Sequence, residues 1–182
     1  MNINPIEMTN LEDVRRDDSG VTAAYFSLNI PATVSNKTVE DLKQQAIKEK
    51  KDLRICLHPD GENIFHNMVL VQHRTNFHPP HKHPTKPESY HLIEGEMGAI
   101  HFDEDGNITK VCKLSTNGNF IYRIGANEYH VVFPLTNIAI FHESKPGPFS
   151  RSEDFIEPEW GPNLDDEKSV SRYIKMIHEV FR

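Results

Sequence analysis

Between about residues 53 and 143, short apolar runs alternate with turn signals at the spacing of an all-β sandwich or barrel. The pattern predicts strands over Ile64–Gln72, Glu88–Glu94, Met97–Phe102, Ile108–Leu114, Phe120–Ile124, Tyr129–Phe133 and Asn137–Glu143. The joints Ile93-Glu-Gly-Glu96, Asp103-Glu-Asp-Gly106, Asn117-Gly118 and Gly125-Ala-Asn127 hold Gly, Asn or Asp, which enter the backbone angles a tight turn needs. Upstream, residues 1–20 are polar and carry no clear period, and Val21–Ile30 is β-prone and reads as a strand. Residues 38–50 read as a helix, with Thr38 and Asp41 as a capping box and Val39, Leu42 and Ala46 as one apolar stripe. Downstream, Ser144-Lys-Pro-Gly-Pro-Phe149 fits neither a helix nor a central strand. An acidic, irregular stretch follows over residues 150–166, around Trp160-Gly-Pro162. Residues 166–181 form an amphipathic helix whose face is Val170, Tyr173, Ile174, Ile177 and Phe181. That face packs either on the β core or on a partner subunit.

This divides the chain into an extension with a strand and a helix (1–52), a β core (53–149) and a C-terminal irregular segment with a helix (150–182). At 182 residues the chain is long enough to bury a core without disulfides. Lys and Arg total 20 against 27 Asp and Glu, a formal charge of -7, which argues against binding nucleic acid through its phosphates. The chain has no run of ~18 apolar residues to span a membrane and no basic-then-apolar leader pattern at its start. Cys56 and Cys112 make no disulfide framework and read as small buried hydrophobes of a cytoplasmic protein.

Histidine changes the picture. Six of the 11 fall within residues 58–83. In extended backbone, alternate side chains share a face, so His81 and His83 point the same way, about 7 Å apart at ~3.3 Å per residue. The turn Pro84-Thr-Lys-Pro87 can bring Glu88 beside them, and His130, after the turn at Gly125-Ala-Asn127, is the best fourth ligand. Three imidazoles and a carboxylate leave coordination positions open, as catalytic sites do, and suit one divalent transition metal such as Zn, Fe, Mn or Ni. His78 and His91 lie one step off this parity and should face away. His58, His66, His73, His101 and His142 read as surface or packing residues. Tyr90 and Tyr122 either line the cavity or pack in the core. Glu143 is a candidate to orient a ligand or move a proton, or else an ion-pair partner of Lys145 or Arg151. Lys82, Lys86 and Arg74 either flank the cavity mouth or are solvated surface charges.

The series His81-x-His83-x4-Glu88-x6-Gly95 resembles the first motif of the cupin superfamily, with Thr75 in place of its leading Gly. The second cupin motif is matched at His130, with Gly125, Asn127 and Pro134 at its other marked positions. Pro80-His-Lys-His-Pro84, Phe102-Asp-Glu-Asp-Gly106, Glu143-Ser-Lys-Pro-Gly-Pro-Phe149 and Trp160-Gly-Pro162 are similar to the WbuC-type cupin-fold metalloproteins, over about residues 38–162. Pro79 stands where that family usually has Arg. The resemblance implies an all-β fold, a double-stranded β-helix (cupin or jelly-roll barrel), here with flanking N-terminal and C-terminal helices. It implies a metal inside the barrel and a homodimer, with Val21–Ile30 as the candidate dimer strand. WbuC-type members occur among genes for surface polysaccharide assembly, so the implied ligand is a small sugar-derived molecule. Three functions then compete: an isomerase or epimerase acting on a sugar or nucleotide-sugar derivative, an Fe(II)-dependent dioxygenase, and a non-catalytic metal- or carbohydrate-binding module. Glu143 and Tyr90 are the candidate catalytic residues in the enzyme readings.

Overall fold

The computed structural model describes residues 3–10 and 12–182. Their elements are β1 (Val14–Asp17), β2 (Ala23–Ser27), α1 (Asn36–Glu49), β3 (Leu53–Cys56), β4 (Phe65–His73), β5 (Glu88–Glu94), β6 (Glu96–Phe102), β7 (Ile108–Ser115), β8 (Ile121–Ile124), β9 (Tyr129–Pro134), β10 (Ile138–Pro146), α2 (Arg151–Asp154) and α3 (Glu167–Glu179). They form a seven-stranded sheet in the order β1-β2-β3-β4-β10-β5-β8 and a three-stranded sheet in the order β7-β6-β9. β2 and β3 run parallel and the other pairs are antiparallel.

The two-residue period of each strand decides which face is buried where. Met68 and Leu70 of β4, Tyr90 and Leu92 of β5 and Phe141 of β10 face Met97 and Ala99 of β6, Leu114 of β7 and Val132 of β9 across the space between the sheets. The alternate residues Leu53, Ile55, Val69, Val71 and Ile140 point outward and are covered by Leu42 and Ala46 of α1. Leu42 is fully buried, so Leu42→Ala should cost about 2–5 kcal/mol. On the opposite side, Tyr173 and Ile177 of α3 cover Ile100, Phe102, Val131 and Phe133 of the smaller sheet. Of the two packings open to this helix, the chain's own sheet takes it.

Several elements differ from the sequence reading. The helix N-cap is Ser35, three residues before Thr38. The Ser35 and Thr38 hydroxyls each accept from the other residue's backbone N–H at 3.2 Å. Asp41 pairs instead with Lys37, at 2.5 Å. Thr38 also donates to the Ile6 carbonyl at 2.9 Å, which ties the N-terminal segment to the helix. β2 is shorter than Val21–Ile30, because Val21 and Ile30 are 96% and 70% exposed. It is hydrogen-bonded on both sides, to β1 and β3, and so has no free edge for a second subunit; the edges of this sheet are β1 and β8. β10 continues to Pro146, past where the sequence predicts a break. Its pairing with β5 ends at Ser144–Ser89, so Pro146 needs a partner only on the β4 side, opposite Phe65. The segment read as irregular contains the short helix α2. Cys56 is fully buried, whereas Cys112 is only partly buried.

Candidate metal centre

His81, His83, Glu88 and His130 come together between the sheets, with one candidate ligand atom of each within 4.8 Å of the others. Glu88 is the first residue of β5, aimed inward by strand parity. His130 comes from β9 of the opposite sheet. His81 and Lys82 are not in a strand; each makes an isolated antiparallel bridge, His81 with His130 and Lys82 with Ile156. These bridges supply the extended backbone that puts His81 and His83 on one side.

The hydrogen bonds fix the tautomers. His81 Nδ1 lies 3.0 Å from the Pro79 carbonyl and His130 Nδ1 lies 2.8 Å from the Glu128 carbonyl. His83 Nδ1 contacts the Asp154 carbonyl. A carbonyl only accepts, so each Nδ1 carries a proton and each ring is left with Nε2 for the site. His130 Nε2 is 2.8 Å from Glu88 Oε1, and His83 Nε2 is 3.1 Å from Glu88 Oε2. His130 Nε2 is buried and makes no hydrogen bond, despite the short approach to the carboxylate. Ring nitrogens and a carboxylate at these distances need positive charge among them, from a ring proton or a cation. A divalent cation meets that need for all four groups at once, and backbone carbonyls holding the far nitrogens are the usual support of imidazole ligands.

Burial and the His130 ring hold His81 well below the usual imidazole range, which keeps it neutral. Burial opposes ionisation of Glu88, but His130 and His83 outweigh it and hold the carboxyl well below its usual range. Tyr90 donates to Glu88 Oε1 at 2.7 Å. Burial raises the Tyr90 pKa far above its usual value, and Glu88 adds to this, so it remains a donor. Phe155 stacks on His81, with ring centroids 4.1 Å apart, and the Arg151 guanidinium lies 3.9 Å over Phe155. The C-terminal segment therefore both orients His83 and covers His81. Sequence reading missed this support, since Asp154 lies 71 residues from the ring it holds.

Glu143 is buried on the inner face and forms an ion pair with Lys145 at 3.0 Å. Lys82 pairs with Glu104 and Lys86 with Asp154, at 2.9 and 2.6 Å. His101, read as a surface or packing residue, does more. His101 is 5% exposed, with Nδ1 3.0 Å from Glu128 Oε2 and Nε2 2.5 Å from the Tyr122 hydroxyl. Its ring lies 6.3 Å from that of His130. A carboxylate, an imidazole and a phenol in series form a chain able to pass a proton. His91 is exposed, as its parity requires, but His78 is partly buried, with Nε2 3.6 Å from Asp52.

Over residues 34–114 the chain matches the sequence model of DUF6016, a domain of unknown function. That span contains His81, His83 and Glu88 but ends before His130. No curated protein matches the chain in sequence. Similar solved structures include the cupin domain of Schizosaccharomyces pombe Cnp3, at 9% identity and a TM-score of 0.38 over 47% of this chain and 57% of that one. L-ribose isomerase from Geodermatophilus obscurus matches at 14% identity and a TM-score of 0.43 over 53% and 58%. A protein with a double-stranded β-helix domain from Klebsiella pneumoniae matches at 18% identity and a TM-score of 0.41 over 53% and 72%. The chain spans less than two thirds of the length of the first structures it matches. These likenesses concern the fold alone.

Proposed function

We propose that this chain is a metal-binding cupin of the WbuC type, working in the cytoplasm as an isomerase or epimerase on a sugar or nucleotide-sugar derivative. The observation that carries the metal assignment is the convergence of His81, His83 and His130 with the Glu88 carboxylate, with His130 Nε2 left without a hydrogen bond. The sugar class follows from the motif blocks shared with WbuC-type proteins. His81, His83, Glu88 and His130 would hold the ion, which when bound supplies polarisation of a carbonyl or hydroxyl oxygen.

Isomerisation or epimerisation removes a proton from carbon and returns one, so the site needs groups that hold and move it. Glu143 supplies a buried carboxylate held in place by Lys145. Tyr122 supplies a hydroxyl aimed at His101, whose other nitrogen is held by Glu128. Burial pushes the Tyr122 phenol up to about 12, so it enters the reaction protonated, with its hydroxyl hydrogen-bonded to His101. Tyr90 acts through Glu88 as a positioning residue. Two free cysteines, neither bridged, suit a reducing compartment. A homodimer would form along a sheet edge. Edge strand β8 carries Ile121, which is 57% exposed.

The test is incubation of metal-loaded protein in D₂O with a panel of free aldoses and nucleoside-diphosphate sugars. Proton NMR should show deuterium entering the carbon next to the carbonyl of one of them, and Tyr122→Phe should slow this at least tenfold. Substrate-dependent oxygen uptake would replace this reading with a dioxygenase. Retention of a sugar without exchange would replace it with a binding module.

A further inference from the structure

A polar cavity opens against β2, β3, β4 and β10 of the seven-stranded sheet, and none of the four candidate ligands lines it. Its volume is about 100 Å³, room for roughly three waters at ~30 Å³ each. Arg54 of β3 and Lys145 of β10 reach into it, the His58 and His66 rings lie along it, and Phe26 and Phe149 form apolar walls. No carboxylate lines it among the described residues.

Arg54 is the informative member. Strand parity places it on the inner face with Cys56, opposite Leu70 of β4. No carboxylate among the described residues forms an ion pair with it. Among the described residues its side chain's one polar contact is a long approach of a guanidinium nitrogen to Met68 Sδ at 3.9 Å, and its Nε is buried without a hydrogen bond there. A guanidinium offers five donors in a planar fork that matches a carboxylate or phosphate. Leaving such a group unmatched against an interior is costly, and an anion in the cavity would remove that cost. Lys145 adds a second cation. Its partner Glu143 leaves its other two ammonium protons free, and the ammonium also lies 5.5 Å from the centre of the Phe149 ring. The imidazoles are stacked at 4.4 Å and 9°. Asn67 N–H donates to His58 Nδ1 at 3.1 Å, so the proton of neutral His58 is on Nε2 and is available to donate. The same cations make the cavity a poor home for a metal.

We propose that this cavity binds a small-molecule oxyanion, a phosphate or carboxylate group, on the Arg54 guanidinium with Lys145 beside it. The inference goes beyond the proposed function and shares with it only Lys145, which also holds Glu143; the candidate metal ligands do not line the cavity.

The test uses the untagged full chain at constant ionic strength. Inorganic phosphate and malonate are titrated separately, by calorimetry and by following the Arg54 Nε–Hε NMR resonance. Saturable binding with movement of that resonance is expected. Arg54→Met should weaken it at least tenfold and Arg54→Lys several-fold, while exposed Arg172→Met leaves it unchanged. Thermal melting establishes that each variant is folded. Stronger binding of phosphate than malonate identifies a phosphorylated ligand, and the reverse a carboxylate. The metal-ligand variant His81→Ala, His83→Ala should bind the anion like the parent, which separates this site from the ion. No saturable binding of either anion, equal affinity in the folded Arg54 variants, or loss of binding in the double histidine variant would each overturn the proposal.

Discussion

His81 and His130, 49 positions apart in sequence, are joined by a reciprocal pair of backbone hydrogen bonds: His81 N–H to the His130 carbonyl at 3.0 Å, and His130 N–H to the His81 carbonyl at 2.9 Å. This one bridge brings their rings to a centroid separation of 4.5 Å. It joins the loop before β5 to the opposite sheet, so the site is built into the closure of the fold. Both rings are held at Nδ1 by backbone carbonyls, which side-chain substitution elsewhere leaves in place.

Tyr90 therefore offers a mild perturbation. Tyr90→Phe removes the hydroxyl that donates to Glu88 Oε1 and keeps the ring packed against Phe141. Loss of such a supporting partner typically lowers metal affinity 10–100-fold. A chelator competition on parent and variant should show a fall of about that size, with the thermal midpoint changed by only a few degrees. Unchanged affinity would mean that Tyr90 is simply a core residue.

The buried imidazoles make stability pH-dependent. Burial and the neighbouring His66 pull His58 down to about 4, against about 6.5 for a free imidazole. Between those values the unfolded chain holds the proton and the folded chain does not, so stability rises with pH across this window and is lost as pH falls through it. Protonation would also compete with the Asn67 N–H that donates to His58 Nδ1. Urea unfolding on the His81→Ala, His83→Ala background, which removes the metal contribution, should show a loss on the order of 2 kcal/mol between pH 7 and pH 4.5. His58→Gln should flatten that slope. An equal slope in the variant would assign the acid sensitivity to other groups.

Gly95 joins β5 to β6 at a φ of +86°, and a Cβ there would lie 2.6 Å from the Ile138 carbonyl oxygen and 2.5 Å from Thr136 Oγ1. Backbone strain and a clash with backbone act together, so Gly95→Ala should cost about 2 kcal/mol or more, read as a lower urea midpoint. A variant as stable as the parent would show that this turn can relax.

Much of the β core was legible because its signal is local. In β5 and β6 apolar residues alternate or run together between turn residues, and the strands lie within a residue of the reading. β1 was not legible. Val14 is the buried apolar residue in Val14–Asp17, and the strand is stabilised by pairing with β2 and by Arg16, which bonds Glu49 of α1 and the Tyr25 hydroxyl at 2.7 Å each. The helix cap was misplaced because Thr38 and Asp41 offer a plausible box one turn inside the real one. Within the site, the four residues that converge could be picked out by spacing, but their supports could not. The Asp154 carbonyl on His83, Phe155 on His81 and the Tyr122–His101–Glu128 series join segments that only the tertiary fold brings together. Arg54 gave no signal at all, because a lone charge in a short strand reads as solvent-facing until its partner strand is known.

The central claim is that His81, His83, Glu88 and His130 hold a divalent metal, and elemental analysis tests it most directly. Untagged parent protein and the variant His81→Ala, His83→Ala would be purified in parallel, loaded with Zn, Fe, Mn and Ni in turn, and dialysed. About one equivalent of one ion in the parent and essentially none in the folded variant is the expected result. A parent that retains no ion after loading with each metal would contradict the account, and the four residues would then be a proton-sharing polar cluster.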